Sequence, residues 1–262
     1  MTEAGAMFSD GKVYERMMGR WSKLVGRVFL EWLNAPKNLK WVEVGCGNGA
    51  FTEELIAHCA PLEVTAVDPS EGQLSFARTR PGARLAQFRQ ADAQALPFPD
   101  RSFDAAAMAL VITFIPDPAK AVAEMVRVVR PGGMIATYMW DTLAGGVPLA
   151  PLETALKSMG KNYARMNSTA SKREVMQTLW QDAGLQTIET RQIRIPVTYS
   201  SLEDFFESNL VPVGPAGQIL KTISASEIEQ LKDRLREILP IAPDGRITYE
   251  AFANAIKGKA PV

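Results

Sequence analysis

The stretch that decides the fold is Trp41-Val42-Glu43-Val44-Gly45-Cys46-Gly47-Asn48-Gly49. It is a short apolar run followed by glycine at every second position, and a helical pattern begins directly after it. Glycines at such a turn let backbone amides approach a ligand, and the N-terminus of the following helix favours a negatively charged group. Gly45, Gly47 and Ala50 also fit the dinucleotide pattern G-x-G-x-x-A. A turn that needs glycine only for its backbone is the simplest alternative.

The composition is that of a globular protein and excludes several classes of function. Of the 262 residues, 47% are hydrophobic, and 29 basic residues balance 29 acidic ones. A net charge of zero gives no long-range attraction to nucleic acid or anionic lipid, so we expect neither as a partner. The first twelve residues lack a secretory signal, and no apolar run is long enough to span a bilayer. Cys46 and Cys59 are too few for a disulfide framework, so we expect a reduced, cytoplasmic protein. We expect it to be a monomer or homodimer.

Strands and helices alternate along the first half of the chain. Apolar runs predict strands at 41–44, 64–67, 86–90, 103–112 and 134–140, with helices between them. Such alternation predicts a parallel sheet covered on both faces. Two later strands at 186–197 and 246–256 complete the prediction of an α/β fold. The expected sheet is Rossmann-like, doubly wound, seven-stranded and mostly parallel, with its last strand antiparallel.

The second half predicts helical material attached to this core. We expect one domain over residues 1–262, with a ligand-binding core at 13–141 and helical cap insertions at 142–170 and 198–243. Three capping-box patterns predict helix starts: Ser171 with Glu174, Ser200 with Glu203, and Ser224 with Glu227. Because ligands of open α/β sheets lie outside the carboxyl ends of the strands, residues 14–22 and the insertions are expected to cover the ligand.

Acidic residues at the strand ends narrow the choice of ligand. Asp68 ends the second predicted strand and could accept both hydroxyls of a ribose, and Asp92 ends the third. A dinucleotide fold explains Asp68 but has no required use for Asp92 or for Glu43 before the first glycine. Three carboxylates on successive strands therefore indicate a functional site.

Five motifs in order resemble those of class I S-adenosylmethionine-dependent methyltransferases of the type-11 group. Residues 43–49 resemble the family's E-x-G-x-G-x-G motif, and residues 67–70 its second-strand acidic motif. Residues 91–93 resemble the adenine-side motif, 102–104 the start of the fourth strand, and 130–133 the turn before the fifth. The resemblance covers residues 13–141 and is looser beyond them.

The resemblance implies methyl transfer from S-adenosylmethionine to an oxygen, nitrogen or carbon atom of a small-molecule acceptor, leaving S-adenosylhomocysteine. It implies that Asp68 holds the ribose, that Asp92 accepts the adenine amino group, and that Glu43 orients the loop or reaches the cofactor's amino group through water. Arg20 would pair with the cofactor's carboxylate, unless it is a solvated helix charge. The residues implied at the cofactor are Tyr14, Arg20, Glu43, Gly45, Cys46, Gly47, Gly49, Asp68, Pro69, Gln73, Asp92, Ala93 and Leu110.

No residue has a motif that marks it as a catalytic base. Tyr14, Tyr138 and Asp141 are candidates by position, whereas His58, the single histidine, is expected to face solvent or another helix. No cluster of histidines and cysteines predicts a metal site. Aromatic residues in the variable segments could wall an acceptor pocket or belong to the core; they are Trp140, Tyr163, Tyr199, Phe205 and Phe206. A nucleotide-linked oxidoreductase and a non-catalytic S-adenosylmethionine-binding protein remain alternatives.

Overall fold

The protein is described by a computed structural model that covers residues 19–162, 168–212 and 214–262. Residues 13–18, the start of the predicted ligand-binding core, lie outside these residues. The strands are β1 Lys40–Val44, β2 Glu63–Asp68, β3 Ala86–Gln90, β4 Phe103–Ala109, β5 Val129–Trp140, β6 Gln186–Tyr199 and β7 Ile247–Lys259.

The described strands form one seven-stranded sheet in the order β3-β2-β1-β4-β5-β7-β6. Strands β1 to β5 run parallel to one another, and β7 pairs antiparallel with both β5 and β6. The predicted fold class, with an antiparallel last strand, is confirmed. The chain winds outward in opposite directions from β1 and β4, so the strand order reverses between them and leaves a crevice outside their carboxyl ends.

Helices cover the sheet on both faces because neighbouring residues of each buried strand point to opposite sides. On β1, Trp41 joins one apolar core, and Val42 and Val44 join the other. The helices are α1 Arg20–Leu33, α2 Ala50–Cys59, α3 Glu71–Ala77, α4 Pro118–Val128, α5 Ala150–Ser158, α6 Arg173–Asp182, α7 Leu202–Asn209, α8 Gly214–Leu220 and α9 Ala225–Ile238.

Strand β4 is shorter than its apolar run predicts. It ends at Ala109 because Leu110 takes a left-handed backbone conformation with φ of +60°, and a 3-10 turn follows at Ile112–Phe114. Strand β7 is longer than predicted and continues to Lys259, since its pairing with β5 and β6 carries it past the last apolar alternation.

One of the three predicted capping boxes is present. The Ser224 hydroxyl accepts from the Glu227 amide while the Glu227 carboxylate accepts from the Ser224 amide, which starts α9. The box at Ser171 is wrong, because its hydroxyl donates to the Ser168 carbonyl at 2.7 Å and α6 begins at Arg173.

The box predicted at Ser200 is displaced by one residue. Ser201 caps α7 by accepting from the Asp204 amide at 3.1 Å, and the Asp204 carboxylate accepts from the Ser200 amide at 2.8 Å. Strand β6 ends at Tyr199 and α7 begins at Leu202, so Ser201 is the N-cap residue in place of Ser200.

Helices from the two insertions pack together on the α1 side of the sheet. Leu152 and Leu156 of α5 and Leu231 and Leu235 of α9 are fully buried in the core that contains Trp21. The ammonium of Lys161 lies 2.8 Å from a Glu227 carboxylate oxygen at the edge of this contact. In the part of the chain that the structure describes, every helix is too short or too polar to cross a membrane.

Candidate active site

A cavity of about 450 Å³ opens at the carboxyl ends of β1, β2 and β4. Its volume lies within the range of about 300–1,000 Å³ that is typical of small-molecule sites. The cavity is lined by Ser22, Glu43, Gly45, Cys46, Gly47, Asn48, Ala50, Phe51, Asp68, Pro69, Ser70, Gln73, Ala91, Asp92, Ala93, Gln94, Ala109, Leu110, Val111, Phe114, Ile115, Pro116 and Tyr138.

The loop between β1 and α2 requires glycine at its first turn. Gly45 has a φ of +76°, and a Cβ atom there would lie 2.6 Å from the side chain of Val111. Its amide and that of Cys46 donate to the Val67 carbonyl at 2.8 and 2.9 Å. The loop therefore bends across the end of β2 and presents its outer side to the cavity.

Asp68 joins this loop to the end of β2. One carboxylate oxygen accepts from the Gly47 amide and the other from the Ser70 amide, each at 2.9 Å. Burial raises the pKa of Asp68, and the two amide hydrogen bonds oppose that shift. Since a carboxylate oxygen can accept more than one hydrogen bond, Asp68 keeps acceptor capacity toward the cavity.

Glu43 is fully buried at the floor of the cavity. Its Oε2 atom accepts from the Thr52 hydroxyl at 2.7 Å, whereas its Oε1 atom is buried and has no hydrogen-bond partner among the described residues. Burial and the nearby Asp68 raise the pKa of Glu43 to about 8, although the Thr52 hydrogen bond opposes the shift. The site therefore contains a buried acid, one oxygen of which has no hydrogen-bond partner among the described residues.

Cys46 lies beside Glu43 in the cavity wall but is not suited to nucleophilic chemistry. Burial and the carboxylates of Glu43 and Asp68 raise the pKa of its thiol well above the ordinary value. Because the thiolate is the reactive form, this neutral thiol is unreactive and serves to pack the cavity wall.

Asp92 lies at the exposed rim, where the chain turns after β3. Its Oδ1 atom accepts from the amide of Gln94 at 2.8 Å, and the Gln94 side chain also donates to both of its oxygens. The side-chain oxygen of Gln94 accepts from the Asp117 amide at 3.2 Å, which ties this turn to the start of α4. Since β2 and β3 pair as neighbours, with Asp68 opposite Gln90, Asp92 and Asp68 lie at the same end of adjacent strands.

Another part of the lining is apolar and aromatic. It combines Phe51 of α2, Tyr138 of β5, and the segment after β4 that contains Leu110 and Phe114. The rings of Phe51 and Tyr138 lie 5.8 Å apart, and Phe29 packs behind them with its centroid 4.5 Å from that of Tyr138. Phe114 is 37% exposed although it is a large apolar residue, and it stands at the cavity mouth.

Part of the chain matches a known protein family. Residues 42–137 match the family model described as a methyltransferase domain. Residues 42–137 belong to a class I S-adenosylmethionine-dependent methyltransferase domain. The match includes the glycine loop, Asp68, Asp92 and the apolar wall up to the fifth strand, so the family recognised from the sequence motifs is confirmed.

Individual relatives resemble parts of the chain. Malonyl-[acyl-carrier protein] O-methyltransferase of Methylococcus capsulatus is 33% identical over 145 residues, which are 55% of this chain and 51% of that protein. Demethylmenaquinone methyltransferase of Desulfitobacterium hafniense is 34% identical over 110 residues, 40% of this chain and 44% of that protein. The chain thus spans about half the length of these two relatives.

The fold is similar to solved structures over nearly its whole length. Haemonchus contortus phosphoethanolamine N-methyltransferase 2, determined in complex with S-adenosyl-L-methionine, superposes with a TM-score of 0.59 at 17% identity. The similarity covers 96% of this chain and 56% of that one. At this identity it supports the fold of the domain.

The structure brings most of the predicted cofactor residues of the methyltransferase domain together and displaces two. Gly49 turns away from the cavity, because a Cβ atom on it would lie 3.0 Å from Ala77 of α3. Arg20 lies with its guanidinium 4.2 Å from the Trp21 ring centroid and 4.4 Å from that of Tyr199. Tyr14 lies outside the described residues. Those that line the cavity are Glu43, Gly45, Cys46, Gly47, Asp68, Pro69, Gln73, Asp92, Ala93 and Leu110.

Of the candidate bases, Tyr138 lines the cavity and Asp141 does not. The Asp141 carboxylate accepts from the Asn254 side chain at 2.9 Å and from the Ala144 amide at 3.2 Å. It is therefore placed to hold the turn after β5 against β7. The Nδ1 atom of His58 lies 2.9 Å from the Glu54 carbonyl on α2, away from the cavity, as predicted.

Several lining residues were missed from the sequence. Ser22, Gln94 and Phe114 reach the cavity from three separate segments. Gln94 follows the predicted Asp92 motif directly and could have been found there, but Ser22 depends on how α1 crosses the sheet. Among the aromatic residues considered for the acceptor, Tyr163 lies outside the described residues, and the others are buried in the core: Trp140, Tyr199, Phe205 and Phe206.

Proposed function

We propose that this protein transfers the methyl group of S-adenosylmethionine to a small-molecule acceptor with an apolar or aromatic body. The observation that carries the proposal is the division of one cavity into two walls. The glycine loop, Asp68 and Asp92 form a polar wall, and Phe51, Tyr138 and the segment around Phe114 form an apolar wall beside it.

The polar wall fits the cofactor. The Glu43 Oε1 atom is a buried acceptor without a partner among the described residues, and a cationic amino group is a suitable ligand for it. Space is open beside Gly47, where an added Cβ would meet nothing within 4 Å, so a ligand can approach the backbone there. Asp68 would hold the ribose and Asp92 the adenine amino group. When bound, S-adenosylmethionine supplies a methyl group on an already activated sulfonium.

The chain's own contribution is positioning. The apolar wall would orient the acceptor's body and exclude water, so that its nucleophilic atom approaches the methyl group in line with the departing sulfur. An acceptor that must lose a proton would need a nearby hydrogen-bonding group, and Tyr138 is the candidate residue that lines the cavity. The name of the Desulfitobacterium hafniense relative, a demethylmenaquinone methyltransferase, supports an acceptor of this kind.

The composition of the chain bears on its partners and its location in the cell. We propose that the balanced charge of the chain favours a small acceptor over nucleic acid. We also propose that the protein works in the reducing cytoplasm, since it has only two cysteines, and that it is a monomer or homodimer. The insertions and residues 14–22, of which 14–18 lie outside the described residues, would close over the ligand. Hydrogen exchange with and without S-adenosylhomocysteine can check this prediction.

Calorimetry and labelled methyl transfer test the proposal together. We expect S-adenosylhomocysteine, but not NAD(H), to bind and to raise the unfolding temperature. Labelled S-adenosylmethionine should then transfer its methyl group to neutral aromatic or quinol acceptors more readily than to nucleic acid. Binding of NAD(H) would favour the oxidoreductase, and donor binding without transfer to any extract component would favour a non-catalytic binder.

A further inference from the structure

We propose that Arg80 is a positioning residue that holds the glycine loop in its cofactor-binding shape. The inference rests on the proposed function, because the loop is part of the polar wall that the proposed function assigns to the cofactor. Arg80 lies outside the cavity lining, on the turn after α3, and no motif marks it in the sequence.

Arg80 is buried to an extent that is unusual for an arginine. It is only 8% exposed, and arginine is seldom buried unless its charge is paired. Its Nη1 atom donates to Oε2 of Glu53 at 2.9 Å, and its guanidinium lies 5.4 Å from the ring centroid of Phe76. The ion pair with α2 and the aromatic contact with α3 fix the side chain between these helices.

The buried guanidinium acts on the loop through one carbonyl. Its Nε atom donates to the Asn48 carbonyl at 2.5 Å, and the Gly49 amide of the same peptide donates to the Cys46 carbonyl at 2.9 Å. The peptide between Asn48 and Gly49 is therefore held at both ends. Its orientation sets the direction of the preceding residue, Gly47, which faces the cavity.

Glu53, the ion-pair partner of Arg80, contacts two further elements. Its Oε1 atom accepts from the Gly82 amide at 3.1 Å, and Lys23 of α1 lies 3.7 Å from its Oε2 atom. One carboxylate thus connects the turn after α3, the first turn of α2 and helix α1. Arg80 connects that network to the loop, and so links the loop to the element that follows Asp68.

The chemistry at this position requires the planar fork of arginine. A guanidinium can donate to the carbonyl and to the carboxylate in one fixed geometry, whereas an ammonium is a point charge on a flexible stem. Lysine at position 80 should therefore recover only part of the effect. Alanine should leave the loop's peptide free to turn.

The test compares Arg80→Ala and Arg80→Lys with the matched control Arg78→Ala. Arg78 also pairs with a glutamate, Glu71, but on an exposed surface of the same segment. Calorimetry would measure the dissociation constant of S-adenosylhomocysteine, and steady-state kinetics would measure KM for the donor and kcat. Hydrogen exchange of the unliganded variants would follow the Gly49 amide.

We expect Arg80→Ala to raise the dissociation constant and the donor KM by about tenfold or more, because a charge-assisted hydrogen bond is lost. The value of kcat at saturating donor should change little, the Gly49 amide should exchange faster, and Arg80→Lys should be intermediate. Arg78→Ala should match the wild type. Should Arg80→Ala not fold, Arg80→Lys and Glu53→Gln provide the same comparison.

Folded Arg80 variants with wild-type donor affinity and an unchanged Gly49 exchange rate would overturn the inference. A loss confined to kcat or to acceptor KM would overturn it as well. Failure of the wild-type protein to bind S-adenosylhomocysteine would instead count against the proposed function, and the Gly49 exchange rates of the unliganded variants would still decide the role of Arg80.

Discussion

The amide of Gly47 donates to the Asp68 carboxylate at 2.9 Å and joins the glycine loop after β1 to the end of β2. Asp68 therefore has two tasks in the proposed site. It fixes the loop through Gly47, and it can accept hydroxyl groups of a ribose with its remaining lone pairs. A substitution that removes the carboxylate affects both.

Asp68→Ala should weaken binding of S-adenosylhomocysteine by roughly tenfold to a hundredfold, which corresponds to the loss of about 1.5–3 kcal/mol for hydrogen bonds to a charged group. Asp68→Asn keeps one oxygen acceptor and should lose less. Calorimetric dissociation constants measure the effect, with circular dichroism as the check on folding. Unchanged affinity in folded Asp68→Ala would remove Asp68 from the cofactor site.

Glu43 predicts a specific dependence of stability on pH. Its pKa is about 8 in the folded protein and near 4.5 in the unfolded chain. Between these values the folded state binds a proton that the unfolded state lacks, so the Glu43 contribution makes stability fall as pH rises from about 4.5 to about 8. Above the folded pKa the contribution no longer changes.

Glu43→Gln should remove the fall in stability between about pH 4.5 and about pH 8. Denaturant unfolding of the wild type and of Glu43→Gln across this pH range measures the difference. A cationic donor should also lower the pKa of Glu43, so binding of S-adenosylmethionine to the wild type at neutral pH should release protons, and binding to Glu43→Gln should release fewer. Titrations in buffers of different ionisation enthalpy measure the release. Identical proton release by both proteins would show that Glu43 does not meet the ligand's charge.

Asp141 should be structural. Its carboxylate accepts from the Asn254 side chain, which is buried and also donates to the Ser171 carbonyl at 2.9 Å. Asp141→Ala leaves that buried amide short of a partner and should lower the free energy of unfolding by about 1–3 kcal/mol. The double variant with Asn254→Ala should lose less than the sum of the two single losses, since the two residues share one interaction. Loss of kcat in a fully folded Asp141→Ala protein would restore its place as a candidate base.

The sequence predicts the parts of this site that depend on local geometry. Gly45 and Gly47 are recognisable because a sharp strand-to-helix turn needs positive φ angles, and Asp68 because it stands where a buried strand ends. The order of strands and the two covered faces follow from the alternation of apolar runs with helical patterns.

Residues whose role depends on packing between distant segments escape such reasoning. Gly49 has the spacing of a ligand-binding glycine, yet the approach of α3 turns it into a packing position. Arg20 has the charge to bind a carboxylate, but the rings of Trp21 and Tyr199 hold it elsewhere. The buried Arg80 has no pattern in the sequence, because its hydrogen-bond partners Asn48 and Glu53 are separated from it by 27 residues or more.

Gly45 and Gly47 of the loop should respond differently when each is replaced by alanine. An alanine Cβ at position 45 would lie 2.6 Å from Val111, whereas one at position 47 would meet nothing within 4 Å of the protein. Both positions carry the cost of about 1–2 kcal/mol for a left-handed backbone. Gly45→Ala should therefore lose clearly more stability than Gly47→Ala, and adding Val111→Ala should recover part of that loss.

Gly47→Ala should instead keep most of its stability and lose affinity for S-adenosylhomocysteine, because its methyl group would occupy the space through which a ligand reaches the backbone. Denaturant unfolding measures the loss of stability, and calorimetry measures the loss of affinity, in the wild type, Gly45→Ala and Gly47→Ala. Equal losses of stability for both single variants would contradict the packing argument. Wild-type affinity in Gly47→Ala would mean that the ligand does not contact this face of the loop.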